Sequence, residues 1–290
     1  MSGHILTVER VEDVTPLMRR VHFGGPGVAG YVNAGAHIPN VKLFFPVPGQ
    51  PLDLPSRGEG GWEWEPGQRD RVRTYTVRTL AADASTLSVD FVRHAGTSVA
   101  ASWAETAVPG SQIAALAGGG VVVGDAAWVL LAGDETALPA IGGTIERFGP
   151  QQRGLVLIEV DGPAEEQELN APAGVEIRWL HRHGAQPGST TLLQEALAAV
   201  EFPAAELAAG EVQVWVSAES AVVRFARNRL KSLGFPRKQQ LIIGYWNRGS
   251  DEVSYGRATD HDRVEGELET ILPGQEEDHH HHRQAHAHGH

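Results

Sequence analysis

The stretch RVRTYTVR, residues 71–78, combines side chains that together suit one class of ligand. β-Branched and aromatic residues alternate there with arginines, which predicts a β-strand. Residues two apart in a strand share a face, so we expect Arg71, Arg73 and Tyr75 to point the same way. Guanidinium groups beside an aromatic ring suit a ligand with a flat ring and a phosphate, whereas the alternative is a solvated edge strand of a barrel. The opposite face carries Thr74, Thr76 and Arg78.

The composition limits the chemistry that the chain can perform. Its 290 residues, 41% of them hydrophobic, suffice for one large domain or two ordinary ones. Cysteine is absent, which excludes disulfides, thiolate nucleophiles and cysteine-bound zinc or iron–sulfur clusters. Redox chemistry would therefore need a bound organic cofactor, or a metal held by nitrogen and oxygen ligands.

The net charge of −12 is concentrated in one segment. Residues 251–278 hold ten acids and two arginines, so the rest of the chain is nearly balanced and can still build a basic pocket for an anion. The sequence lacks the stripe of lysines and arginines that a nucleic-acid surface needs. It also shows no signal-peptide pattern and no apolar run near the ~18 residues of a membrane span, so we expect a cytoplasmic protein.

Residues 1–120 show a regular rhythm of strands and turns that predicts an antiparallel six-stranded barrel. Residues 47–68 are rich in proline, glycine and charge, which predicts a long surface loop, and the glycines at 118–120 predict a linker. The predicted strands are 3–10, 17–24, 40–46, 71–79, 86–93 and 111–117.

One predicted helix follows the strand at 86–93. Thr97 or Ser98 can cap its N-terminus, and small residues continue it to residue 104. A helix N-terminus after a glycine turn presents free N–H groups and is an anion site, although a capped connecting helix is the commoner meaning. The candidate phosphate-binding residues are His94, Gly96, Ser98, Val99, Ala100, Ala101 and Ser102.

From residue 126 to 249, short apolar runs alternate with helical patterns, which predicts a doubly wound parallel sheet. Ligands of such sheets bind at the carboxyl ends of the strands. The predicted strands are 128–132, 154–160, 175–180, 212–217 and 239–246, with helices ending at 148 and spanning 190–200 and 219–233.

Polar side chains follow three of these strands, but none of the three ends has the glycine fingerprint of dinucleotide-binding folds. The acids at the first end are alternatively helix N-terminal residues favoured by the helix dipole, and the histidines at the second are alternatively polar loop residues. The three ends comprise Gly133, Asp134, Glu135 and Thr136; His181, Arg182 and His183; and Ser217, Ala218 and Glu219.

The segment 250–290 is acidic and then rich in histidine, with a short helix predicted at 263–272. We expect a disordered tail without a catalytic role. The alternatives are native metal sequestration and an expression tag.

A barrel followed by a nucleotide-type α/β half is the order found in flavin reductases of the ferredoxin-reductase type. The chain resembles more closely the siderophore-interacting protein family of flavin-dependent ferric-siderophore reductases. The resemblance runs from about residue 4 to 249 and rests on HIPNVKLFFP, RVRTYTVR, VDFVRHAGTSVAASWA, WVLLAGDETALPAI, RWLHRHGAQPG, VWVSAESAVVRFARNRL and GYWNRG.

This resemblance implies roles for individual residues. It places Arg73 near the phosphates of FAD, Tyr75 along the flavin and Thr76 near the ring edge. It assigns residues 94–104 to the pyrophosphate, and Lys42 and Arg248 to the pocket for the siderophore. It implies further cofactor contacts at Thr74, Asp90, Tyr245 and Trp246, a nucleotide-phosphate contact at Arg182, and nucleotide contacts at Gly133, Asp134, Glu135, Thr136, Ser217, Ala218 and Glu219.

The chain departs from the family pattern at three places. Ala101 stands where a serine hydroxyl is usual, and either the hydroxyl of Ser98 or Ser102 or the backbone N–H groups would replace it. The Cβ of Ala218 stands where glycine is usual and would crowd a nucleotide. Asn247 replaces a common arginine, which leaves one charge fewer for an anionic chelate.

We therefore predict a monomeric, cytoplasmic NAD(P)H-dependent ferric-siderophore reductase, in which FAD carries the chemistry without a protein acid, base or bound metal. Its substrate would be an anionic iron chelate. The alternatives are a general flavin or quinone reductase, and a siderophore- or iron-binding protein without nucleotide-dependent activity or with a ferredoxin as electron donor.

Overall fold

The computed structural model describes residues 3–33, 40–94, 98–119 and 126–249. Several predictions from the sequence lie outside these ranges: Gly96, Thr97, the third glycine of the predicted linker, the helix at 263–272 and the histidine-rich tail. Within the described ranges, none of the helices is long and apolar enough to cross a membrane.

The first part of the chain forms a closed barrel whose strand order is β1-β2-β7-β6-β3-β8. All neighbouring pairs in the barrel are antiparallel, which confirms the predicted architecture. The elements are β1 (His4–Thr15), β2 (Met18–Gly24), α1 (Pro26–Asn33), β3 (Asn40–Phe44), β4 (Ser56–Gly58), β5 (Gly61–Glu63), β6 (Val72–Leu80), β7 (Leu87–Val92), α2 (Val99–Thr106) and β8 (Gln112–Gly119).

The structure corrects several local predictions in this half. Residues 47–68 are not only loop, because β4 and β5 form a hairpin. Trp62 of β5 and Trp64 just after it pack beside the buried Phe44. The glycines at 118 and 119 extend β8 rather than begin a linker. Arg71, predicted to begin the strand, ends a short 3₁₀ turn before β6 instead, and its guanidinium donates hydrogen bonds of 2.7 and 2.6 Å to Asp53.

The second part of the chain is a five-stranded parallel sheet of order β11-β10-β9-β12-β13. Its inner strands are buried apolar runs, because helices cover both faces. The order reverses at β9, so the crevice between β9 and β12 is the expected ligand position. The elements are β9 (Trp128–Asp134), α3 (Leu138–Ile145), β10 (Arg153–Val160), β11 (Gly174–His181), α4 (Leu192–Ala198), α5 (Ala204–Ala209), β12 (Val212–Glu219), α6 (Ser220–Ser232) and β13 (Gln240–Trp246).

Helix α3 lies between the two halves, and all eight of its residues are buried. Its Leu138 and Ile141 pack in one cluster with Leu131 of the sheet and Met18 of the barrel. On the barrel side, Arg78 of β6 donates two hydrogen bonds, of 2.8 and 2.6 Å, to Glu146 at the end of the helix. Arg78, to which the sequence assigned no role, is therefore a buried partner of Glu146 at the junction of the two halves.

Glu165 makes a second polar connection between the halves. It lies in a 3₁₀ turn after β10, and its buried carboxylate accepts the hydroxyl of Thr15 at 2.5 Å and the N–H of Leu17 at 3.1 Å. Thr15 is the last residue of β1, and Leu17 lies in the turn that leads to β2. Each would lose its acceptor if the carboxylate were removed.

We predict that Glu165→Ala lowers the free energy of unfolding by about 1–3 kcal/mol, because a buried donor without an acceptor carries its full desolvation cost. Denaturant titration followed by far-UV circular dichroism measures the change. The neighbouring Glu166→Ala serves as control, since Glu166 is 39% exposed and its pair with His181 is a surface contact worth about 0–1 kcal/mol. Equal losses in the two variants would contradict the proposed connection.

Candidate active site

An aromatic cluster lies beside the RVRTYTVR strand. The ring of Tyr75 is 4.5 Å from that of Phe91, and Phe91 is 5.9 Å from Trp103 of helix α2. Phe45 contacts all three rings, at centroid distances of 5.6–6.3 Å. The cluster therefore links Tyr75 to helix α2. Sequence reasoning missed Phe45, Phe91 and Trp103, because apolar residues in strands and helices are most often core.

Arg73 and Thr76 flank Tyr75 on the same strand. The guanidinium of Arg73 folds back to donate hydrogen bonds of 2.8 Å to the carbonyl oxygens of Asp70 and Val72. Thr76 is buried opposite Asn40, whereas Thr74 is exposed. Within four residues the strand thus carries a guanidinium and a phenol on one face and a hydroxyl on the other.

The N-terminus of helix α2 is capped by Ser98, whose hydroxyl accepts the N–H of Ala101 at 3.2 Å. Ala100 and Ala101 are buried, so the methyl of Ala101 faces protein rather than solvent. Val99 packs against the barrel core, while His94 and Ser102 are exposed. Cap and helix remain compatible with an anion bound through backbone N–H groups.

Asp90 differs from the expectation that it contacts a cofactor. Its side chain is fully buried and accepts two hydrogen bonds from Arg20, at 2.6 and 2.8 Å. The guanidinium fork fixes the orientation of the carboxylate, and burial keeps it from solvent. Asp90 therefore acts here as a structural partner of Arg20 inside the barrel wall.

Asp134 is the centre of a hydrogen-bond network at the carboxyl ends of the sheet. One oxygen accepts the N–H of Thr136 at 3.0 Å, together with its hydroxyl. The other accepts the indole N–H of Trp246 at 2.8 Å and the N–H of Glu219 at 3.2 Å. The carboxyl group thus ties the ends of β9, β12 and β13 together, which exceeds the role of a helix N-terminal acid.

Burial of the Asp134 carboxyl raises its pKa to about 7, and the nearby charge of Glu135 adds to this rise. The bonds from Thr136 and Trp246 oppose the shift without cancelling it. Burial likewise raises the pKa of Glu159, which accepts the hydroxyl of Thr190 at 3.0 Å. The strand ends therefore hold carboxyl groups that resist ionisation.

Arg182 differs from the expected contact with a nucleotide phosphate. Its side chain is 1% exposed, and it donates two hydrogen bonds of 2.8 Å to Glu135. A carboxylate oxygen of Glu159 lies 3.7 Å from one of the same guanidinium nitrogens. A phosphate would have to displace a buried ion pair to reach this guanidinium, which is costly.

The third strand end turns its side chains inward. Ser217 and Ala218 are completely buried, and the hydroxyl of Ser217 accepts the indole N–H of Trp215 at 2.6 Å. The methyl of Ala218 therefore packs in the core instead of crowding a nucleotide. Gly133 must be glycine, because a Cβ there would lie 2.5 Å from that of Ala137.

A small pocket opens at this edge beside Asp134, Glu159, Gly188, Thr190 and Glu219. The ring of Trp246 closes over Gly188, where a Cβ would approach it to 2.9 Å. Glu219 caps helix α6 by accepting the N–H of Ala221. Tyr245 is half-buried in the cluster around α3.

The two predicted substrate cations lie in different halves. Lys42 is exposed on β3 opposite Thr74, and thus on the outer side of the sheet that carries Arg73 and Tyr75. Arg248 is exposed just after β13, and its N–H lies 3.3 Å from a carboxylate oxygen of Glu219. In the part of the chain that the structure describes, no group of three acidic or histidine side chains is arranged to hold a metal.

Two family models match the chain in succession. A siderophore-interacting FAD-binding domain matches residues 7–122, and a siderophore-interacting protein domain matches residues 126–249. The ferric vibriobactin reductase ViuB of Vibrio cholerae is 31% identical over 259 residues, which cover 87% of this chain and 92% of that protein. The NADPH-dependent ferric-chelate reductase of Escherichia coli is 28% identical, covering 83% and 92%.

Solved structures agree with these matches. A siderophore utilization protein from T. fusca is 38% identical with a TM-score of 0.76, covering 86% of this chain and 94% of that one. A ferredoxin NADP+ reductase from Neisseria gonorrhoeae shares the fold alone, with a TM-score of 0.54 at 12% identity and coverage of 84% and 99%. The predicted two-domain, ferredoxin-reductase-like architecture is thereby confirmed.

We predict that the indole N–H resonance of Trp246 shifts with a midpoint near pH 7, because its acceptor Asp134 titrates there. Since the folded pKa lies above the unfolded value of 3.8, this group favours folding at low pH and loses that contribution as the pH rises through about 7. NMR spectra recorded from pH 5.5 to 8.5, with Trp246→Phe for assignment, measure the titration.

Trp215 is the matched control, because its N–H donates to a serine hydroxyl that does not titrate. Its resonance should stay fixed over the same pH range. Asp134→Asn should abolish the shift of Trp246. A shift that persists in this variant would assign the titration to another group.

Proposed function

The chain belongs to the siderophore-interacting protein family, and from that premise we propose that it is a flavin-dependent reductase of ferric siderophores, with NAD(P)H as electron source and Fe(II) released in the cytoplasm. The observation that carries the proposal is the strand β6, where Arg73, Tyr75 and Thr76 stand beside an aromatic cluster that reaches helix α2. This arrangement fits a ligand with a flat ring and a diphosphate. In this proposal the protein acts as a monomer.

Each of these residues has a task in holding FAD. Arg73 would neutralise a phosphate, since a guanidinium binds phosphate oxygens in a planar fork. Tyr75, supported from behind by Phe91, would give the isoalloxazine a rigid apolar surface, and the hydroxyl of Thr76 would bond its polar edge. The backbone N–H groups at the start of α2 would bind the second phosphate.

When bound, FAD supplies hydride acceptance and one-electron release, which the amino-acid side chains of this cysteine-free chain do not offer. Hard oxygen ligands hold Fe(II) less tightly than Fe(III), so reduction frees the metal. The task left to the protein is to attract and orient the chelate. Lys42 on the outer face of β3 and Arg248 after β13 would provide positive charge for an anionic complex.

The side chains at the carboxyl ends of the C-terminal sheet favour a second candidate for the electron donor. The relative from Escherichia coli is named for NADPH, but here Arg182 is held by Glu135 and the strand ends are lined by carboxyl groups. Because Glu135 holds Arg182, a pyrophosphate at this edge lacks that guanidinium as a counter-charge, whereas a protein donor such as a ferredoxin that docks elsewhere does not need it. A ferredoxin-dependent reductase is therefore the alternative that this observation supports.

We expect the purified protein to be yellow with non-covalent FAD. Under anaerobic conditions NADPH or NADH should bleach the flavin, and a ferric tricatecholate should restore the colour while a ferrous-specific chelator reports Fe(II). Failure to bind FAD after reconstitution would overturn the reductase. Bleaching only by reduced ferredoxin would identify the second donor, and quinone turnover far above ferric turnover would indicate a general reductase.

We predict that Lys42→Ala raises the KM for an anionic ferric chelate about two- to fivefold, as expected for one partly solvated charge contact, and leaves flavin content unchanged. Steady-state rates at low and high salt measure the effect, which should shrink as salt screens the charge. Lys238→Ala is the control, because Lys238 is exposed on the 3₁₀ turn before β13. Loss of flavin in Lys42→Ala would show instead that Lys42 supports the barrel.

A further inference from the structure

We propose that Arg78 is a positioning residue: its ion pair with Glu146 clamps the strand that holds the flavin to the first helix of the nucleotide domain, and thereby sets the distance for hydride transfer. This inference rests on the proposed function. It assigns a role to an arginine that makes none of the proposed cofactor contacts. It also explains why a charged residue sits inside the junction of the two halves.

The geometry of the pair is that of a rigid connection. Arg78 is 7% exposed and Glu146 33% exposed, and the two side chains meet through two parallel hydrogen bonds of 2.8 and 2.6 Å. A two-point contact fixes orientation as well as distance, which a lysine in the same place would not do. The pair therefore restrains rotation of one half against the other.

Helix α3 is shaped to receive this arginine. A Cβ on Gly142 would lie 3.3 Å from the nearer guanidinium nitrogen, so the glycine leaves room for Arg78 to lie against the helix. Gly143 follows it, and a Cβ there would lie 3.9 Å from the backbone oxygen of Arg78. That distance is an ordinary contact, so Gly142 is the position at which a side chain would press on Arg78, at a cost in helix propensity of about 1 kcal/mol for the glycine.

The position of Arg78 along β6 couples the clamp to the proposed flavin site. It is two residues beyond Thr76 and three beyond Tyr75, or about 7–10 Å along a strand. The other end of α3 follows directly on the Asp134–Thr136 turn at the carboxyl end of β9. One short helix thus spans from the flavin strand to the proposed nucleotide edge.

The apolar contacts of the junction do not fix this geometry alone. Met18, Val14 and Val92 of the barrel pack against the cluster around α3, but such contacts permit sliding. The polar contacts of Glu165 with Thr15 and Leu17 attach the turn between β1 and β2. A second anchor at Arg78 is what prevents the halves from turning about that first one.

The test measures distance and chemistry separately. Since the chain has no cysteine, spin labels can be placed at Ala82→Cys in the barrel and Lys231→Cys on α6, both exposed positions. We expect a narrow distance distribution by pulsed electron resonance in the FAD-loaded full chain, and a broader one in Arg78→Gln and in Glu146→Gln. Stopped-flow bleaching at saturating NADPH should slow about 10–100-fold, because a displacement of about 1 Å costs that much in a transfer reaction.

The matched control is Arg178→Gln on β11. Arg178 also makes a two-point pair, with Glu176, but the pair is exposed and both partners belong to one strand of the C-terminal sheet. This variant should leave the distance distribution and the bleaching rate unchanged. The exchanged pair Arg78→Glu with Glu146→Arg should restore part of the bleaching rate, which a merely destabilised variant would not show.

The outcomes separate the clamp from the proposed function. An unchanged distance distribution in both single variants overturns the clamp, whatever the activity. A broadened distribution with an unchanged bleaching rate also overturns it, because positioning would then have no consequence for transfer. If the parent protein binds no FAD, or if neither nucleotide bleaches the flavin, the proposed hydride transfer is wrong and so is the positioning role. The distance distributions would still show whether the Arg78–Glu146 pair holds the two halves together.

Discussion

The burial of helix α3 on two sides is the constraint on which the arrangement of both halves depends. The sheet needs an apolar cover at β9, and the barrel needs a partner for β6 and the turn between β1 and β2. One eight-residue helix satisfies both, so no part of its surface is left for charge except its end, where Glu146 meets Arg78. The Arg78 guanidinium bonds hold the pKa of Glu146 below its usual range, so this contribution to stability is lost only when the pH falls below the normal range of a glutamate.

The two candidate sites differ in how they manage polar groups. On the barrel, polar groups gather around a rigid aromatic cluster, with Arg73 folded on backbone carbonyls and Ser98 used as a cap. At the carboxyl ends of the sheet, several acidic side chains are buried close together. Glu135 is paired with Arg182, whereas the pKa of Asp134 is raised. Clusters of this kind with perturbed pKa values are characteristic of functional sites, although structural networks also produce them.

The sequence predicts the architecture well because hydrophobic periodicity and turn residues are local signals. All six barrel strands and all five sheet strands lie where the pattern places them, with ends shifted by a few residues. The side-chain partners were not predictable, since they join residues far apart in the chain: Arg78 with Glu146, Arg20 with Asp90, and Arg182 with Glu135. From its type and position alone, each of these charged residues would be expected to face solvent or a ligand. In the structure each of them is instead paired with a distant residue.

The strand order of the C-terminal sheet leaves β11 at one edge, with its backbone polar groups unpaired on one side among the described strands. The unpaired N–H and C=O groups of such an edge can pair with a strand of another chain. At high protein concentration this pairing would lead to aggregation through β11. Glu176 and Arg178 stand on β11 as exposed, mutually paired charges, whereas Ile177 between them and Trp179 after them pack inward. A strand that paired with this edge would have to bury both charges. The two charges therefore oppose self-association, while the apolar face of β11 remains packed in the core.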